Sequence, residues 1–226
     1  MQAGKIDLRL NAIVDPERAG GHDLATLARL CAEGGATLVQ LRDKLSETRA
    51  MVETARAIRA ALKPFGVPLV INDRVDVALA SGAEGVHVGQ DDMAVEDARK
   101  LLGPTAIIGL SIKNVGEAES APIGLIDYVG SGGVYGTLSK QQKNPPIGPA
   151  GLGRIIAVLR RRAEQHGKPL PICGIAGIDA GNAAPVIAAG ADGVAVISAL
   201  SLAPDPAAAA RALREVVDGM AAKRGT

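Results

Sequence analysis

Residues 71–93 read INDRVDVALASGAEGVHVGQDDM and hold one complete step from strand to strand. An apolar run ends near Ile71, a helix-like segment follows, and the phrase GAEGV at Gly82–Val86 leads into the next apolar run. The phrase recurs as GATLV at Gly35–Val39 and as GADGV at Gly190–Val194. Each copy ends a helix-like segment with Gly and starts a strand that contains Val. The repeat predicts a chain of alternating strands and helices.

Apolar runs and amphipathic segments alternate along the whole chain. Uninterrupted apolar runs are typical of strands that are buried on both faces of a parallel sheet. We predict strands near Leu8–Val14, Thr37–Leu41, Leu69–Asn72, Val86–Val88, Ala106–Leu110, Ile126–Val129, Leu170–Cys173 and Gly193–Ile197. Apolar residues at helical spacing predict helices at Asp23–Glu33, Ser46–Leu62, Val95–Leu102, Gly151–Gln165, Asn182–Ala189 and Pro206–Met220. Ser46 is the predicted N-cap of the second helix.

Eight strand–helix units in 226 residues favour an α/β fold of the (β/α)8 TIM barrel type, whose typical length is about 250 residues. The runner-up is an open doubly wound sheet, but no GxGxxG motif follows the first strand. No linker or low-complexity segment divides the sequence. We therefore expect residues 1–226 to form a single barrel domain with a short N-terminal extension.

The composition excludes several classes of protein. The formal net charge is +1, so no polybasic footprint indicates nucleic acid. No apolar stretch approaches the roughly 18 residues of a membrane-spanning helix, and the N-terminus lacks a signal-peptide core. Cys31 and Cys173 lie in separate apolar segments, which is typical of buried thiols in a reducing compartment. We expect a cytoplasmic protein, and the composition leaves open whether it forms a homo-oligomer.

Acidic residues follow two neighbouring strands of the predicted barrel. Asn72 and Asp73 end the third strand, and Gln90, Asp91 and Asp92 follow the fourth, which places Asp73 and Asp92 19 positions apart. In a (β/α)8 barrel the carboxyl ends of all strands meet at one rim, where active sites lie. Adjacent strands are about 4.8 Å apart. We expect both carboxylates to lie within reach of one ion.

Basic side chains share this predicted rim. The second strand ends in VQLRDK (residues 39–44), the fifth carries Ser111, and the loop after the sixth contains Lys140. Cations beside carboxylates are consistent with a polyphosphate that is bound through Mg²⁺ and clamped by Arg and Lys. The segments GIAGID (residues 174–179) and ISALS (residues 197–201) follow strands seven and eight, where such barrels bind a phosphate at glycine turns and helix N-termini. The rim is expected to hold a metal-bound diphosphate and a separate monophosphate.

Each of these residues also has a purely structural interpretation. Asp73 could cap the helix that follows it, and Asp91 or Asp92 could cap the helix near Val95. Arg42 and Lys44 could form a solvated turn. His87 lies inside a predicted strand, and we interpret it as a hydrogen-bonded core residue rather than a base. The combination on one rim favours a functional site over any single member.

The motifs VQLRDK, INDRVDVALASGAEGVHVGQDDM, GLSIK, DYVGSGGVYGTLSK, GIAGID and VAVISAL follow one another between Leu8 and Val217. This order resembles the thiamine-phosphate synthase family. The resemblance implies an enzyme that couples 4-amino-2-methyl-5-(diphosphooxymethyl)pyrimidine to 4-methyl-5-(2-phosphoethyl)thiazole, or to the carboxylated form of that thiazole. The products would be thiamine phosphate and pyrophosphate, formed by a Mg²⁺-assisted dissociative substitution.

The resemblance also implies roles for individual residues. Asp73 and Asp92 would be the metal ligands, and Arg42, Lys140 and Ser111 the catalytic residues. The residues implied to bind the two substrates are Gln40, Leu41, Arg42, Asp43, Lys44, Asn72, Ser111, Thr137, Leu138, Ser139, Lys140, Gly177, Ile197 and Ser198. Of these, the thiazole phosphate would contact Thr137–Ser139, Gly177, Ile197 and Ser198, and the pyrimidine diphosphate the others.

The sequence departs from the family pattern at three places. Asp43 stands where Glu is usual, Gly136 and Ser139 replace Pro and Thr of a PTxTK motif, and Ala176 replaces the first Gly of IGGI. These departures affect expected substrate affinity more than reaction type. Two other functions stay open: a thiazole tautomerase-like enzyme, which needs only the monophosphate site, and a non-catalytic phosphate-binding barrel.

Overall fold

The computed structural model describes residues 6–137 and 145–224. Within these ranges the chain forms eight strands and nine α-helices. The strands are β1 (Leu10–Val14), β2 (Leu38–Leu41), β3 (Leu69–Asn72), β4 (Gly85–Val88), β5 (Ile107–Ile112), β6 (Tyr128–Gly132), β7 (Ile172–Ile175) and β8 (Gly193–Val196). The α-helices are α1 (Leu24–Glu33), α2 (Thr48–Leu62), α3 (Val75–Ser81), α4 (Val95–Leu102), α5 (Val115–Ser120), α6 (Gly148–Gln165), α7 (Ala183–Ala188), α8 (Ser198–Ser201) and α9 (Pro206–Arg224).

The eight strands close into one barrel in sequence order. Each strand is parallel to both neighbours, and β8 completes the ring by pairing with β1, where Leu10 lies opposite Val194. The (β/α)8 prediction is confirmed, and the open doubly wound sheet is wrong. The assignment of all residues 1–226 to one domain stays a prediction, since residues 138–144 and both chain ends lie outside the described ranges.

Small aliphatic side chains fill the two layers of the core. The outer layer lies between strands and helices, and α2 buries in it the residues that recur at helical spacing, Met51, Ala55, Ile58 and Leu62. A smaller cluster fills the barrel interior and includes Ile13, Leu38, Val70, Tyr128, Cys173 and Ala195. Tyr128 is the largest fully buried side chain among the described residues.

The predicted N-cap of α2 is wrong. The helix begins at Thr48 after Glu47, and no side chain caps its first turn. The backbone N–H of Ser46 instead donates to Asp43 Oδ1 at 2.9 Å. The Asp43 carboxylate therefore organises the entry to α2, and Ser46 is bonded to that carboxylate rather than to the first turn of the helix.

Several further elements differ from the sequence prediction. β5 continues to Ile112, two residues past the predicted end, because Ser111 pairs with Gly130 and Ile112 with Ser131 of β6. Ser111 therefore lies within a strand and not in a loop. The helices α5 and α8 are not predicted from the sequence, because α5 buries only Ala118 and α8 has only four residues, so neither displays helical periodicity.

The described part of the chain contains no helix of the length and apolar character that crossing a bilayer requires. Cys31 and Cys173 are both buried and free, as predicted. Burial raises the pKa of each thiol to about 12, so both are protonated and unreactive at neutral pH.

Candidate active site

A cavity of about 490 Å³ opens at the carboxyl end of the barrel. Residues from the ends of several strands line this cavity. Eight of the residues predicted to bind substrate are among them: Gln40, Arg42, Asn72, Ser111, Thr137, Gly177, Ile197 and Ser198. The volume suits a small organic ligand, since such sites usually measure about 300–1,000 Å³. The barrel thus joins residues that the chain separates widely.

Arg42 is held by a residue that the sequence reasoning did not single out. Its guanidinium forms an ion pair with the carboxylate of Asp15, whose side chain is fully buried, whereas the Arg42 side chain is 19% exposed. The other Asp15 oxygen accepts the N–H of Glu17 at 2.9 Å. Because the hydrogen bond from Glu17 holds the Asp15 carboxylate in place, the carboxylate orients the Arg42 guanidinium at the cavity wall. A sequence signal exists, since Asp15 follows the first strand as Arg42 follows the second.

Leu41 and Asp43 lie behind the cavity wall. The Leu41 side chain is fully buried in the apolar core. Asp43 Oδ1 accepts the N–H of Leu45 at 3.0 Å and that of Ser46 at 2.9 Å. Burial acts to raise the pKa of Asp43, but a hydrogen bond with the Ser46 side chain and these two backbone hydrogen bonds outweigh it and hold the pKa below its ordinary value. The Asp43 carboxylate therefore braces its own loop, and substrate contact by these two residues stays a prediction.

Asp73 and Asp92 come together at the rim, as the strand order predicts. The two carboxylates lie within interaction range of each other, and Asp92 Oδ2 also accepts the N–H of Gly89 at 2.7 Å. Lys44 Nζ forms an ion pair with Asp73. Burial raises the pKa of Asp73, Lys44 acts in the opposite direction, and the Asp92 carboxylate raises the pKa further. Two carboxylates and one ammonium group therefore lie together at this rim.

The helix-capping interpretation of these two carboxylates is wrong. The N-cap of α3 is Arg74 and that of α4 is Ala94, and neither helix has a side-chain cap. Asp73 instead adopts φ 63°, a left-handed conformation that Asp adopts more readily than most residues with a Cβ. Its carboxylate interacts with both Lys44 and Asp92.

The donor set fits Mg²⁺. This ion takes one or two protein carboxylates and completes its shell with water and phosphate oxygens. Among residues 6–137 and 145–224 no group of three or more His, Cys, Asp or Glu side chains is placed to hold a metal ion. Asp73 and Asp92 would therefore share the ion with ligand or water oxygens.

The loops after β6 and β7 pack against each other at the opposite side of the cavity. A Cβ at Gly177 would lie 2.2 Å from the carbonyl oxygen of Gly136, and Gly177 has φ 65°, so the position requires glycine. Ala176 has φ 86°, and its C=O accepts the N–H of Tyr135 at 3.1 Å. The Tyr135 hydroxyl donates to the C=O of Asn182 at 3.1 Å, so Tyr135 anchors this loop pair. Ala176 is thus strained where the family pattern has glycine.

Ile197 and Ser198 line the cavity beside this loop pair. The helix that begins at Ser198 is only four residues long, so a full helix dipole, which the sequence reasoning expected here, is not available. The local donors for an anion are the Ser198 hydroxyl and the backbone N–H groups of the turn.

Two further cavity residues complete the description. Arg18 lines the cavity from the short turn after β1. It is not among the predicted site residues, and its position just after the first predicted strand is the signal that could have identified it. His87 is buried and hydrogen-bonded to Tyr128 and Ser111, which confirms it as a hydrogen-bonded core residue, but it also borders the cavity. The predicted site residues Leu138, Ser139 and Lys140 lie outside the described ranges.

The closed (β/α)8 barrel and its cavity at the carboxyl ends of the strands define a TIM-barrel protein with the site location that enzymes of this fold use. Arg18, Arg42 and Ser198 are among the residues that line that cavity. The chain belongs to the thiamine monophosphate synthase family, whose model matches residues 10–200.

Known relatives are similar over nearly the whole chain. The thiamine-phosphate synthase of Agrobacterium fabrum is 50% identical over 214 residues, which are 95% of this chain and 96% of the relative. The thiamine-phosphate synthase of Xanthobacter autotrophicus is 47% identical over 211 residues, or 93% and 96% of the two chains. The solved structure of a thiamine phosphate pyrophosphorylase from Pyrococcus furiosus has a TM-score of 0.81 and 34% identity, and the match covers 96% of this chain and 98% of that chain. The predicted family resemblance is confirmed.

Proposed function

We propose that the protein is a thiamine-phosphate synthase that joins the pyrimidine diphosphate to the thiazole phosphate and releases pyrophosphate. The observation that carries this proposal is a cavity lined by Arg42 on one side and by Gly177 and Ser198 on the other. Lys44, Asp73 and Asp92 do not line this cavity, and they form a separate cluster at the neighbouring strand ends of the same rim, which we count with Arg42 as the first side. A barrel that binds only a monophosphate has no use for the first side. The names of the relatives and of the family support the same reaction.

On the first side, Arg42 and Lys44 bind the diphosphate oxygens, and Gln40 and Asn72 bind the pyrimidine half. The buried Asp15 carboxylate orients Arg42 before substrate arrives, so less conformational freedom is lost on binding. Lys140 is assigned to the departing diphosphate by the family resemblance alone.

We assign one Mg²⁺ to Asp73 and Asp92. When bound, the ion supplies positive charge to the diphosphate. The chain prepares this position with its own groups, since the Gly89 N–H fixes the Asp92 carboxylate and Lys44 partly neutralises Asp73.

The second side binds the phosphate of the thiazole substrate through Gly177, Ile197 and Ser198, together with Thr137. The close packing of Gly177 against Gly136 ties the position of this site to the loop after β6. The family resemblance covers both the thiazole phosphate and its carboxylated form.

The proposed reaction is a dissociative substitution. The bond between the pyrimidine methylene carbon and the diphosphate oxygen breaks, and its electron pair leaves with pyrophosphate. The thiazole nitrogen then donates its lone pair to the methylene cation and forms the new carbon–nitrogen bond. Arg42, Ser111 and Lys140 stabilise the charge on the departing oxygens, and the two anion sites align the substrates. No covalent bond to the protein is required.

The proposed partners are these two small molecules, and the proposed location is the cytoplasm. The formal net charge of +1 supports substrates other than nucleic acid. The two buried free thiols support a reducing compartment.

A two-substrate assay tests the proposal. The purified protein is stripped of metal with a chelator and mixed with both substrates, and pyrophosphate release is followed with and without added Mg²⁺. We expect release only when both substrates and Mg²⁺ are present. Isomerisation of the thiazole without the pyrimidine would indicate a tautomerase, and binding of both substrates without release would indicate a non-catalytic barrel.

A further inference from the structure

A chain of buried polar side chains runs beneath the cavity floor. His87, in the middle of β4, is hydrogen-bonded through Nδ1 to the Tyr128 hydroxyl at 2.9 Å and through Nε2 to the Ser111 hydroxyl at 2.9 Å. The amide of Gln40 interacts with the Tyr128 hydroxyl from the other end. Ser111 lines the cavity, whereas Tyr128 is fully buried and so cannot contact a ligand directly.

Two glycines of the barrel leave space for these hydrogen-bonded side chains. A Cβ at Gly109 of β5 would lie 2.1 Å from Tyr128 Cζ and 2.5 Å from His87 Nδ1. A Cβ at Gly130 of β6 would lie 3.1 Å from His87 Cε1. Two glycines on neighbouring strands therefore leave the space that the tyrosine and histidine rings occupy. Ordinary barrel packing places branched aliphatic side chains at inward positions, so the arrangement is specific to this pair of rings.

The ligand that Ser111 would bind sets the direction of the hydrogen bonds among Ser111, His87 and Tyr128. A diphosphate oxygen only accepts hydrogen bonds, so a Ser111 hydroxyl that binds it must donate. The Ser111 oxygen is then free to accept from His87 Nε2–H. When His87 is neutral its ring carries one N–H, so Nδ1 must then accept from the Tyr128 hydroxyl.

The remaining groups around Tyr128 agree with this direction. Burial raises the pKa of Tyr128 well above its ordinary value and the neighbouring Cys173 adds to the rise, so the phenol keeps the proton that it donates. The hydrogen bond from Gln40 acts to lower that pKa, which is the effect of a donor on the phenolic oxygen.

We propose that Tyr128 is a positioning residue that acts through His87 to hold the Ser111 hydroxyl as a hydrogen-bond donor toward the departing diphosphate. The inference rests on the proposed function for the identity of the ligand. No proton is transferred along the chain. Tyr128 selects one tautomer of His87, and that tautomer selects one orientation of the Ser111 hydroxyl.

The tautomer of His87 can be measured without substrate. Nitrogen-15 NMR of protein with labelled histidine distinguishes a ring nitrogen that carries a proton from one that does not, and the His87→Gln variant identifies the His87 signals among the three histidines. We expect His87 to carry its proton on Nε2, and Tyr128→Phe to reduce that preference. A proton on Nδ1 in the wild-type protein overturns the proposal, even if Tyr128→Phe does not fold.

Kinetics of a matched pair of variants test the catalytic consequence. Tyr128→Phe and Ser131→Ala each remove one fully buried oxygen from β6. Ser131 points to the opposite face of the sheet, and its hydroxyl has no hydrogen-bond partner within residues 6–137 and 145–224. We expect Tyr128→Phe to lower kcat about tenfold with KM changed by less than about twofold, because the Ser111 donor acts on charge that develops in the transition state. Ser131→Ala is expected to retain wild-type kcat.

The possible failures are distinguishable. If the wild-type protein releases no pyrophosphate, the proposed function fails. The NMR experiment still decides the direction of the hydrogen bonds that join Tyr128, His87 and Ser111. If the wild-type protein is active and Tyr128→Phe, folded by circular dichroism, has unchanged kcat, the positioning role is refuted and the proposed function stands.

Discussion

Replacement of Arg42 by Ala removes one partner of a buried ion pair and leaves the other. Asp15 is fully buried and its second oxygen is already bonded to the Glu17 N–H, so the unpaired carboxylate cannot turn to solvent without losing that bond. Loss of one partner from such a pair typically costs about 3–5 kcal/mol. Because the Arg42 side chain is 19% exposed, we expect the lower end, about 3 kcal/mol. In a chain of this size each kcal/mol lowers Tm by about 2–4 °C.

The double variant separates lost charge pairing from lost packing. In Asp15→Asn the amide oxygen can still accept the Glu17 N–H, but no buried charge is left when Arg42 is removed. We expect Arg42→Ala to cost only about 1 kcal/mol in the Asp15→Asn background, which gives a coupling free energy of about 2 kcal/mol. Urea unfolding followed by far-UV circular dichroism measures all four proteins. A coupling below about 0.5 kcal/mol would refute the view that Asp15 and Arg42 form an energetically significant pair.

Turnover of the same variants tests the role of Arg42 at the cavity. Arg42→Ala is expected to lower kcat/KM by at least about tenfold, the effect of about 1.4 kcal/mol on the barrier. Asp15→Asn should lower it by less, because the guanidinium is present but no longer held. Near-normal turnover of a folded Arg42→Ala protein would mean that Arg42 is only a surface charge.

Three further predictions address the remaining parts of the site. Asp73→Asn and Asp92→Asn should each raise the Mg²⁺ concentration needed for activity. The double variant should be little worse than the poorer single variant, because either loss removes most of the benefit of the ion. A single variant whose Mg²⁺ titration overlays the wild-type curve would exclude that carboxylate as a ligand. Ser198→Ala should weaken binding of the thiazole phosphate more than that of the pyrimidine diphosphate in separate calorimetric titrations, whereas equal weakening would contradict the division into two anion sites. Ala176→Gly should relieve a left-handed backbone conformation and raise stability by roughly 1 kcal/mol, seen as an increase in Tm of about 2–4 °C, and an unchanged or lower Tm would show that Ala176 is not strained.

The sequence by itself determined the barrel and most of the rim. The GATLV, GAEGV and GADGV turns and the apolar runs between them are local signals, since each needs only a few consecutive residues to specify a helix end and a strand start. Once the strands are parallel and closed, their carboxyl ends must share one edge. That single topological consequence places Asp73 near Asp92, and Arg42 and Ser198 around the same cavity.

Only the tertiary structure decided which side chains support those residues and from where. The sequence does not show that Asp15 holds Arg42, that Asp73 turns away from the helix it precedes, or that His87 joins Tyr128 to Ser111. The partners of Arg42 and His87 lie between 24 and 41 positions away in the sequence. These contacts therefore depend on side-chain directions inside a closed barrel. Hydrophobic periodicity records which face of a strand is buried, but a hydrogen bond requires two specific atoms within about 3 Å, and only the assembled fold sets that distance.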